Sequence, residues 1–485
     1  MINPTLKFLY GLHNRGIKLG LENISDFLSL CNNPHNKIKT IHLAGTNGKG
    51  STASILAKIL QENGQQVGLY TSPHLVRFNE RIRINGCPIS DQEIIDFIQQ
   101  HQKTIMDSSI TFFEATTALA FTYFERNNVD VAIIETGLGG RLDSTNVIRP
   151  IQTIITEIDY DHTHILGESI ELIASEKCGI FKKNTPALTS NSNKEVLSTI
   201  KYCAHKKQSP LTLIDKNEST ITEHTPQSIS FLHNETKFVL PQAGSYQKNN
   251  AILAIETCKA HFPKINMLEI QSSLKKWIWP GRMQIMADNV FYDVAHNANA
   301  IEKLSQDLYS IYNKKPIGLL ILKNDKLTDK LLTLLYNEFE ELIISTIDSK
   351  DILQKDDILN NNQLQESKAH GTHVAGLLSA TSNNNMGIAS VGFNCSIMSV
   401  KVSTGEQSYP YITHGYDGIL YAARAGYHNN NFTIINNSWG GIGYNQYEQS
   451  VIDVVHDDYG AVVVAAAGNG DEWGLGTDEF AHYPS

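Results

Sequence analysis

Residues 41–63 read IHLAGTNGKGSTASILAKILQEN, and this stretch restricts the fold more than any other. Residues 41–43 have the length and apolar character of a buried strand. Residues 51–63 carry apolar side chains at helical spacing and stop before Gly64. Between the two stand Gly45, Gly48 and Gly50, with Lys49 among them. A strand that passes through a glycine-rich turn into a helix is the first half of a parallel crossover. The chain is therefore expected to build a parallel sheet with helices on its faces. Other segments keep the same rhythm. Residues 67–70, 129–135 and 151–157 read as strands, 211–240 as a polar, β-leaning stretch, and 249–261 as a helix. Residues 290–294 and 317–322 read as strands of a second α/β unit.

At 485 residues the chain has room for two or three domains. Hydrophobic residues make up 41% and charged residues 19%, the balance of a water-soluble globular protein. No apolar run has the length of a membrane span, and the start lacks the apolar core and cleavage site of a secretory signal. A cytoplasmic protein with no membrane partner is expected. Six cysteines (Cys31, Cys87, Cys178, Cys203, Cys258 and Cys395) show no paired metal-ligand spacing and are expected as reduced thiols. The net charge of −10 is unevenly spread: residues from 349 onward hold 5 of the 40 basic and 14 of the 50 acidic side chains, leaving 35 and 36 for the first 348. Such asymmetry points to parts of different origin, and an acidic part speaks against nucleic acid as a partner. Residues 349–368, polar and rich in Asn and Asp, mark the seam.

Gly45, Thr46, Asn47, Gly48, Lys49, Gly50 and Ser51 lie where backbone N–H groups can turn toward an anion at a helix N-terminus. Lys49 is placed to reach terminal phosphates, and Ser51 to offer a hydroxyl to magnesium. The general phosphate-loop pattern is not met in full, since its first glycine is absent and Gly50 separates Lys49 from Ser51. Glu135 ends an apolar strand and precedes GLGGRLDSTN. A carboxylate at that edge of a parallel sheet faces the ligand crevice and can hold Mg2+ beside phosphate oxygens. His162, in DYDHTHILG after the next strand, becomes a candidate second metal ligand. Lys177, in SEKCGIF, reads on its own as a solvated helix lysine.

Six stretches, GTNGKGS, TSPHL (71–75), GLGGRLDSTN (137–146), DH…LG (161–167), EKCGI and DVAHN (293–297), together resemble the folylpolyglutamate synthase/dihydrofolate synthase branch of the Mur ligase family, in that family's order. The resemblance covers about residues 1–345. It implies a ligase dependent on ATP and Mg2+ that joins L-glutamate to a folate or dihydropteroate carboxylate through an acyl phosphate. Dihydropteroate and tetrahydrofolate both stay open as acceptors. By the same resemblance Thr46–Lys49 cradle phosphates, and Ser72, Glu135 and His162 bind Mg2+. Lys177 is carboxylated and helps to hold a second metal. Asn250, Arg282 and Asp293 contact the nucleotide. Thr111, Phe112, Phe113 and Glu114, with Leu142, Asp143 and Ser144, hold the pterin–benzoate end. The family's second domain continues past the strand and helix near 317–340, and that remainder is not found, so a poorly covered sheet edge is expected.

HGTHVAG, beginning at His370, resembles the subtilisin family of serine peptidases and implies His370 as general base. NNSWGG (436–441) and VVVAAAGN (462–469) follow in that family's order, the latter placing Asn469 as an oxyanion donor. Neither a Gly-Thr-Ser nucleophile segment nor an Asp-Ser-Gly or Asp-Thr-Gly acid segment is found, so this part is expected to be inactive. The expected architecture is α/β throughout. A phosphate-loop, parallel-sheet ATP-binding domain spans 1–270, and a truncated second α/β domain, like the C-terminal domain of Mur ligases, spans 271–348. A seam at 349–368 leads to a partial subtilisin-like α/β fragment at 369–485. Two other readings stay open: a serine endopeptidase whose missing Asp and Ser come from another chain, and a non-functional chimeric chain.

Overall fold

A computed structural model describes residues 2–16, 20–215, 218–287, 289–323 and 326–344, with short pieces at 434–437, 441–442, 454, 458, 462–465 and 482–483. It divides into two units, Met1–Leu342 and Ile343–Ser485.

An eight-stranded sheet organises the first unit. Its strands are β1 (Thr40–Ala44), β2 (Val67–Tyr70), β3 (Ile82–Ile84), β4 (Cys87–Pro88), β5 (Val131–Glu135), β6 (Gln152–Ile155), β7 (Ala187–Thr189) and β8 (Leu211–Leu213), lying side by side in the order β4-β3-β2-β5-β1-β6-β7-β8. β2, β5, β1, β6, β7 and β8 run parallel, and β3 and β4 add an antiparallel edge. Every residue of β1, β2, β5 and β6 is buried, as the continuous apolar runs of a sheet covered on both faces require. β1 is central, between β5 and β6. The loops that leave these three strands therefore meet at one crevice beyond their carboxyl ends.

Helices cover both faces. α1 (Asn3–Gly11), α2 (Glu22–Leu30), α3 (Lys49–Glu62), α4 (Asp91–Asp107) and α5 (Phe112–Arg126) are followed by α6 (Thr163–Leu166), α7 (Ile170–Lys177), α8 (Lys194–Lys207), α9 (Gln247–His261) and α10 (Met267–Leu274). The period of a strand sorts β5 between two cores. Val131 and Ile133 pack with α3 and α9, whereas Ala132 and Ile134 pack with α4 and α5. α7 and α8 bury Ile173, Val196 and Ile200 against Ile155 and Ala187. The expected helix at 51–63 begins two residues earlier, because Gly48 already serves as its cap. The expected strand at 151–157 ends at Ile155, and Glu157 turns its carbonyl to the loop after β1 instead.

The β-leaning stretch 211–240 resolves into β8 and an antiparallel meander of β9 (Ser219–His224), β10 (Ile229–His233) and β11 (Thr236–Leu240). Its Ile229, Phe231, Phe238 and Leu240 join the α3/α9 core. Beyond α10 come a hairpin of β12 (Gln284–Ala287) and β13 (Val290–Tyr292), then α11 (Ala298–Tyr312), β14 (Ile317–Leu320), α12 (Asp329–Glu338) and β15 (Glu341–Ile344). β14 pairs with β15 in a two-stranded sheet. Ile317, Leu319 and Ile321 are 63%, 66% and 51% exposed, so one apolar row of this small sheet lies open among the described residues.

In the second unit the described strands are β16 (Ile434–Asn437), β17 (Gly441–Ile442), β18 (Val462–Ala465) and β19 (His482–Tyr483). β16 pairs with β18 in parallel, and β17 with β19 antiparallel. The apolar run that begins at 462 thus supplies a strand over Val462–Ala465. No helix among the described residues is long and apolar enough to cross a membrane.

Candidate active site

The loop after β1 is held by close backbone approaches. Gly48 has φ 89°, and a Cβ there would meet Asn250 Oδ1 at 2.3 Å, so only glycine fits. The backbone N–H groups of Thr46 and Asn47 donate to the Glu157 carbonyl at 2.7 and 3.1 Å, and Thr46 Oγ1 donates to the Asp159 carbonyl at 2.9 Å. α3 then starts at Lys49 with its N-terminus toward the crevice. Lys49 Nζ donates to the carbonyls of Gly45 and Thr46 at 3.0 and 3.2 Å. Lys177, at the end of α7, donates to the same Gly45 carbonyl at 2.8 Å. The side chain read from sequence alone as a solvated lysine is buried. Burial, and then the charge of Lys49, lower the Lys177 amine to about 7.

Glu135 ends β5 and is buried; its Oε2 accepts the Ser72 N–H at 3.1 Å. Gly50 adjoins it, with a Cβ position 3.4 Å from Oε2. Burial raises the Glu135 carboxyl, and the Lys49 charge opposes that rise. Ser51 is buried too, and its Oγ accepts from Gln247 Nε2 at 3.2 Å. Mg2+ is commonly bound by one or two carboxylates plus phosphate and water oxygens. Glu135 with the serines beside it fits that habit. Among the described residues no group of three or more His, Cys, Asp or Glu side chains could hold a metal unaided.

His162 keeps different company. Its backbone is left-handed, φ 51°, and its Nε2 lies 3.4 Å from Lys326 Nζ. Lys326 donates to Asp161 Oδ1 at 2.6 Å, and the two side chains are only 9% and 11% exposed. His296 Nε2 stands 3.9 Å from the other Asp161 oxygen. Because Lys326 lies between β14 and α12, this ion pair ties the second α/β segment to the loop after β6.

Among the nucleotide candidates, Asn250 sits against Gly48 in α9, accepts from Thr52 Oγ1 at 3.3 Å and donates to Gln247 at 2.9 Å. Asp293 accepts from Tyr246 Oη and from the N–H groups of Met283 and Ala295, at 2.9, 2.8 and 2.7 Å. Arg282 lies close enough for its charge to lower Glu135. Asn297 Nδ2 donates to Asn47 Oδ1 at 3.0 Å, a second tie across the crevice.

The pterin-end candidates divide into holders and faces. Thr111 and Glu114 form the capping box of α5. The Glu114 carboxylate accepts from Thr111 N and Oγ1 at 2.8 and 2.9 Å and from Asn23 Nδ2 at 2.9 Å. Asp143 accepts the N–H groups of Gly137, Leu138 and Thr145. Ser144 and Thr117 share a hydroxyl hydrogen bond at 2.8 Å. These four side chains shape loops. Phe112 and Phe113 supply rings: Phe112 is buried and stacks with His13 at 4.0 Å, and the partly exposed Phe113 packs on Gly137. Leu142 is partly exposed. His370 and Asn469 lie outside the described residues. Sequence reasoning passed over Lys326 and Arg81; neither carries a local signal beyond its charge.

Dihydrofolate synthase/folylpolyglutamate synthase of Bacillus subtilis (strain 168) is 38% identical over 320 residues, 62% of this chain and 74% of that protein. The chain belongs to the folylpolyglutamate synthase/dihydrofolate synthase family. Membership makes it an ATP-dependent ligase. Folylpolyglutamate synthase of Thermotoga maritima matches its fold with a TM-score of 0.64 at 34% identity, over 74% of this chain and 86% of that one. A folylpolyglutamate synthase complex with AMPPCP and folate gives 0.64 at 28% identity, over 75% and 94%. The profile of the Subtilase family matches residues 127–485, so the chain belongs to that family as well. The profile match begins just before β5 and overlaps the ligase-like body. There the described fold is that of the synthases, while the subtilisin-like motifs fall in the second unit.

Proposed function

We propose that this chain joins L-glutamate to the free carboxylate of a folate or dihydropteroate in the cytosol. A carboxylate oxygen attacks the γ-phosphorus of ATP, and ADP leaves. The glutamate amino group then attacks the acyl carbon, loses a proton, and phosphate departs as the amide forms. The observation that carries this reading is the meeting of Lys49, Lys177 and Glu135 at the ends of β1 and β5. Phosphoryl transfer is driven by positioning and charge neutralisation, and these groups supply both. Loop N–H groups and Lys49 would hold the phosphates. Glu135, Ser72 and Ser51 would hold Mg2+, which neutralises phosphate charge when bound, with His162 joining from the loop after β6. Asn250, Arg282 and Asp293 would position the nucleotide, and Phe112 and Phe113 the pterin–benzoate rings. A buried amine lowered to about 7 is neutral often enough to add carbon dioxide, which supports reading Lys177 as the carboxylated lysine.

We assign the ATP-binding domain to 1–270 and the second ligase domain to 271–348. We further propose that the part from 369 onward does not act as a peptidase within these 485 residues, because no Gly-Thr-Ser segment follows His370 among them. The deciding experiment measures ADP release by the purified chain with Mg2+, ATP and L-glutamate, adding dihydropteroate or tetrahydrofolate. Release that requires both glutamate and one pterin acid is expected. Release indifferent to both, or labelling of the chain by a fluorophosphonate, would overturn the reading.

A further inference from the structure

The ligase reading leaves one buried charge without a task. Arg81 stands just before β3 and is 8% exposed. Its Nε donates to His74 Nδ1 at 2.8 Å, and its guanidinium carbon lies 5.2 Å from the centre of the Phe112 ring. Among the described residues no carboxylate comes within 4.0 Å of it. Glu135 and Glu80 act on it only from farther off, and its ring neighbours bring no compensating charge. Because His74 Nδ1 accepts that hydrogen bond, the His74 ring carries its proton on Nε2 and is neutral. Burial, and then the Arg81 charge, disfavour the imidazolium of His13. The result is a desolvated cation bordered by neutral, flat groups: His13 stacked on Phe112 at 4.0 Å, Tyr10 stacked on Phe112 at 5.8 Å, and His74.

A buried cation without a counter-ion is costly, so such a site implies an anion that arrives with a ligand. A guanidinium matches a carboxylate through two parallel hydrogen bonds. The surrounding rings suit a planar aryl group. Placement narrows the choice further. The Arg81 carbonyl accepts the Thr71 N–H at 3.0 Å, and the next residue, Ser72, donates to Glu135. Arg81 and Glu135 each feel the other's charge. Arg81 therefore borders the carboxylate edge of the crevice from the side of the aromatic rings, while Lys49 borders it from the phosphate side.

We propose that Arg81 binds the carboxylate of the aryl acid that is to be activated, with the exposed rings of His13 and Tyr10, backed by buried Phe112, carrying its rings. This rests on the ligase reading above. Before phosphoryl transfer, Arg81 holds the acid in line with the γ-phosphate. It also selects an acid over a neutral isostere.

The test measures binding, by titration calorimetry, of dihydropteroate, its carboxamide and ADP to the full chain. Three proteins are compared: wild type, Arg81→Gln, which keeps a donor for His74, and Arg81→Lys, which keeps the charge without the fork. Wild type should prefer the acid over the carboxamide at least tenfold. Arg81→Gln should bring that ratio below about threefold, and Arg81→Lys should fall between, with ADP affinity unchanged in both. A wild type that binds ADP but not the acid preferentially, or an Arg81→Gln protein that keeps the preference, overturns the assignment to Arg81 alone. If Arg81→Gln does not fold, Arg81→Lys decides: an undiminished preference overturns the proposal and a reduced one supports it. A wild type that binds neither ADP nor dihydropteroate removes the ligase reading, and the Arg81 assignment with it.

Discussion

Acid is expected to weaken this fold, and one histidine in the middle of the sheet makes a large, separable contribution. His42 lies on β1, fully buried, with Nε2 2.9 Å from Thr145 Oγ1. The Thr145 hydroxyl donates to Asp143, so it accepts from His42, which places the ring proton on Nε2. Nδ1 has no partner among the described residues, and protonating it would bury an unpaired N–H. Burial, and then the Lys182 charge, lower the His42 pKa to about 3. The unfolded chain takes up this proton near pH 6.5 and the folded chain does not, so stability falls as pH drops below 6.5 and goes on falling toward 3. Relative to pH 8 the loss from this one group amounts to about 2 kcal/mol at pH 5 and about 3 kcal/mol at pH 4. Other buried histidines add to the slope, so the assay compares wild type with His42→Gln, which can still donate to Thr145 but does not titrate. Urea unfolding, followed through buried Trp277, should show wild type losing about 2 kcal/mol more than the variant between pH 8 and pH 5. Parallel losses in the two proteins would refute the argument.

Two further outcomes follow from the crevice. Lys49→Ala should lower ADP release by about 100-fold or more, the scale of losing a positioned charge at a transferring phosphoryl group. Its melting temperature should stay near wild type, because among the described residues the lysine bonds only to loop carbonyls; a matching fall in stability would make it structural. Lys326→Met and Asp161→Asn should each destabilise by about 3 kcal/mol, since each strands a buried partner. The double variant should cost clearly less than their sum in denaturant melts, and strict additivity would mean the ion pair couples nothing.

Much of the fold was legible where the signal is local. The strand at 67–70 matches β2 residue for residue, and the glycine loop, Glu135 at a strand end and the strand that begins at 462 are all recovered, because periodicity and turn chemistry act within a few residues. The capping box at Thr111 and Glu114 was equally legible as Thr-x-x-Glu, yet the resemblance drew those residues toward substrate. In the structure both side chains close the capping box that starts α5. Other features depend on distant parts of the chain. Lys177 reads as solvated until α7 packs it against the loop 132 residues earlier. Arg81 and Lys326 become distinctive only through what surrounds them: one lacks a carboxylate, and the other has found one across the crevice. The left-handed backbone of His162 at the start of α6 is one that histidine adopts more readily than most residues, but a single residue preference marks no position in advance.

The central position of β1 also governs when the crevice can first exist in a growing chain. Thr40 pairs with Ala132, and Ile41 pairs with Gln152. The strand that leads into the phosphate loop is thus made about 90 residues before its first neighbour and about 110 before its second, and closing loops of that length precedes any gain from the pairing. At about 5–20 residues per second of synthesis, β1 waits several seconds or more as an unpaired apolar segment. The helices and the β2–β3 hairpin in between can form locally during that interval. The nucleotide crevice cannot, and a ribosome stalled before residue 152 would carry a chain with only the first five of its twelve described α-helices and no place to bind a phosphate.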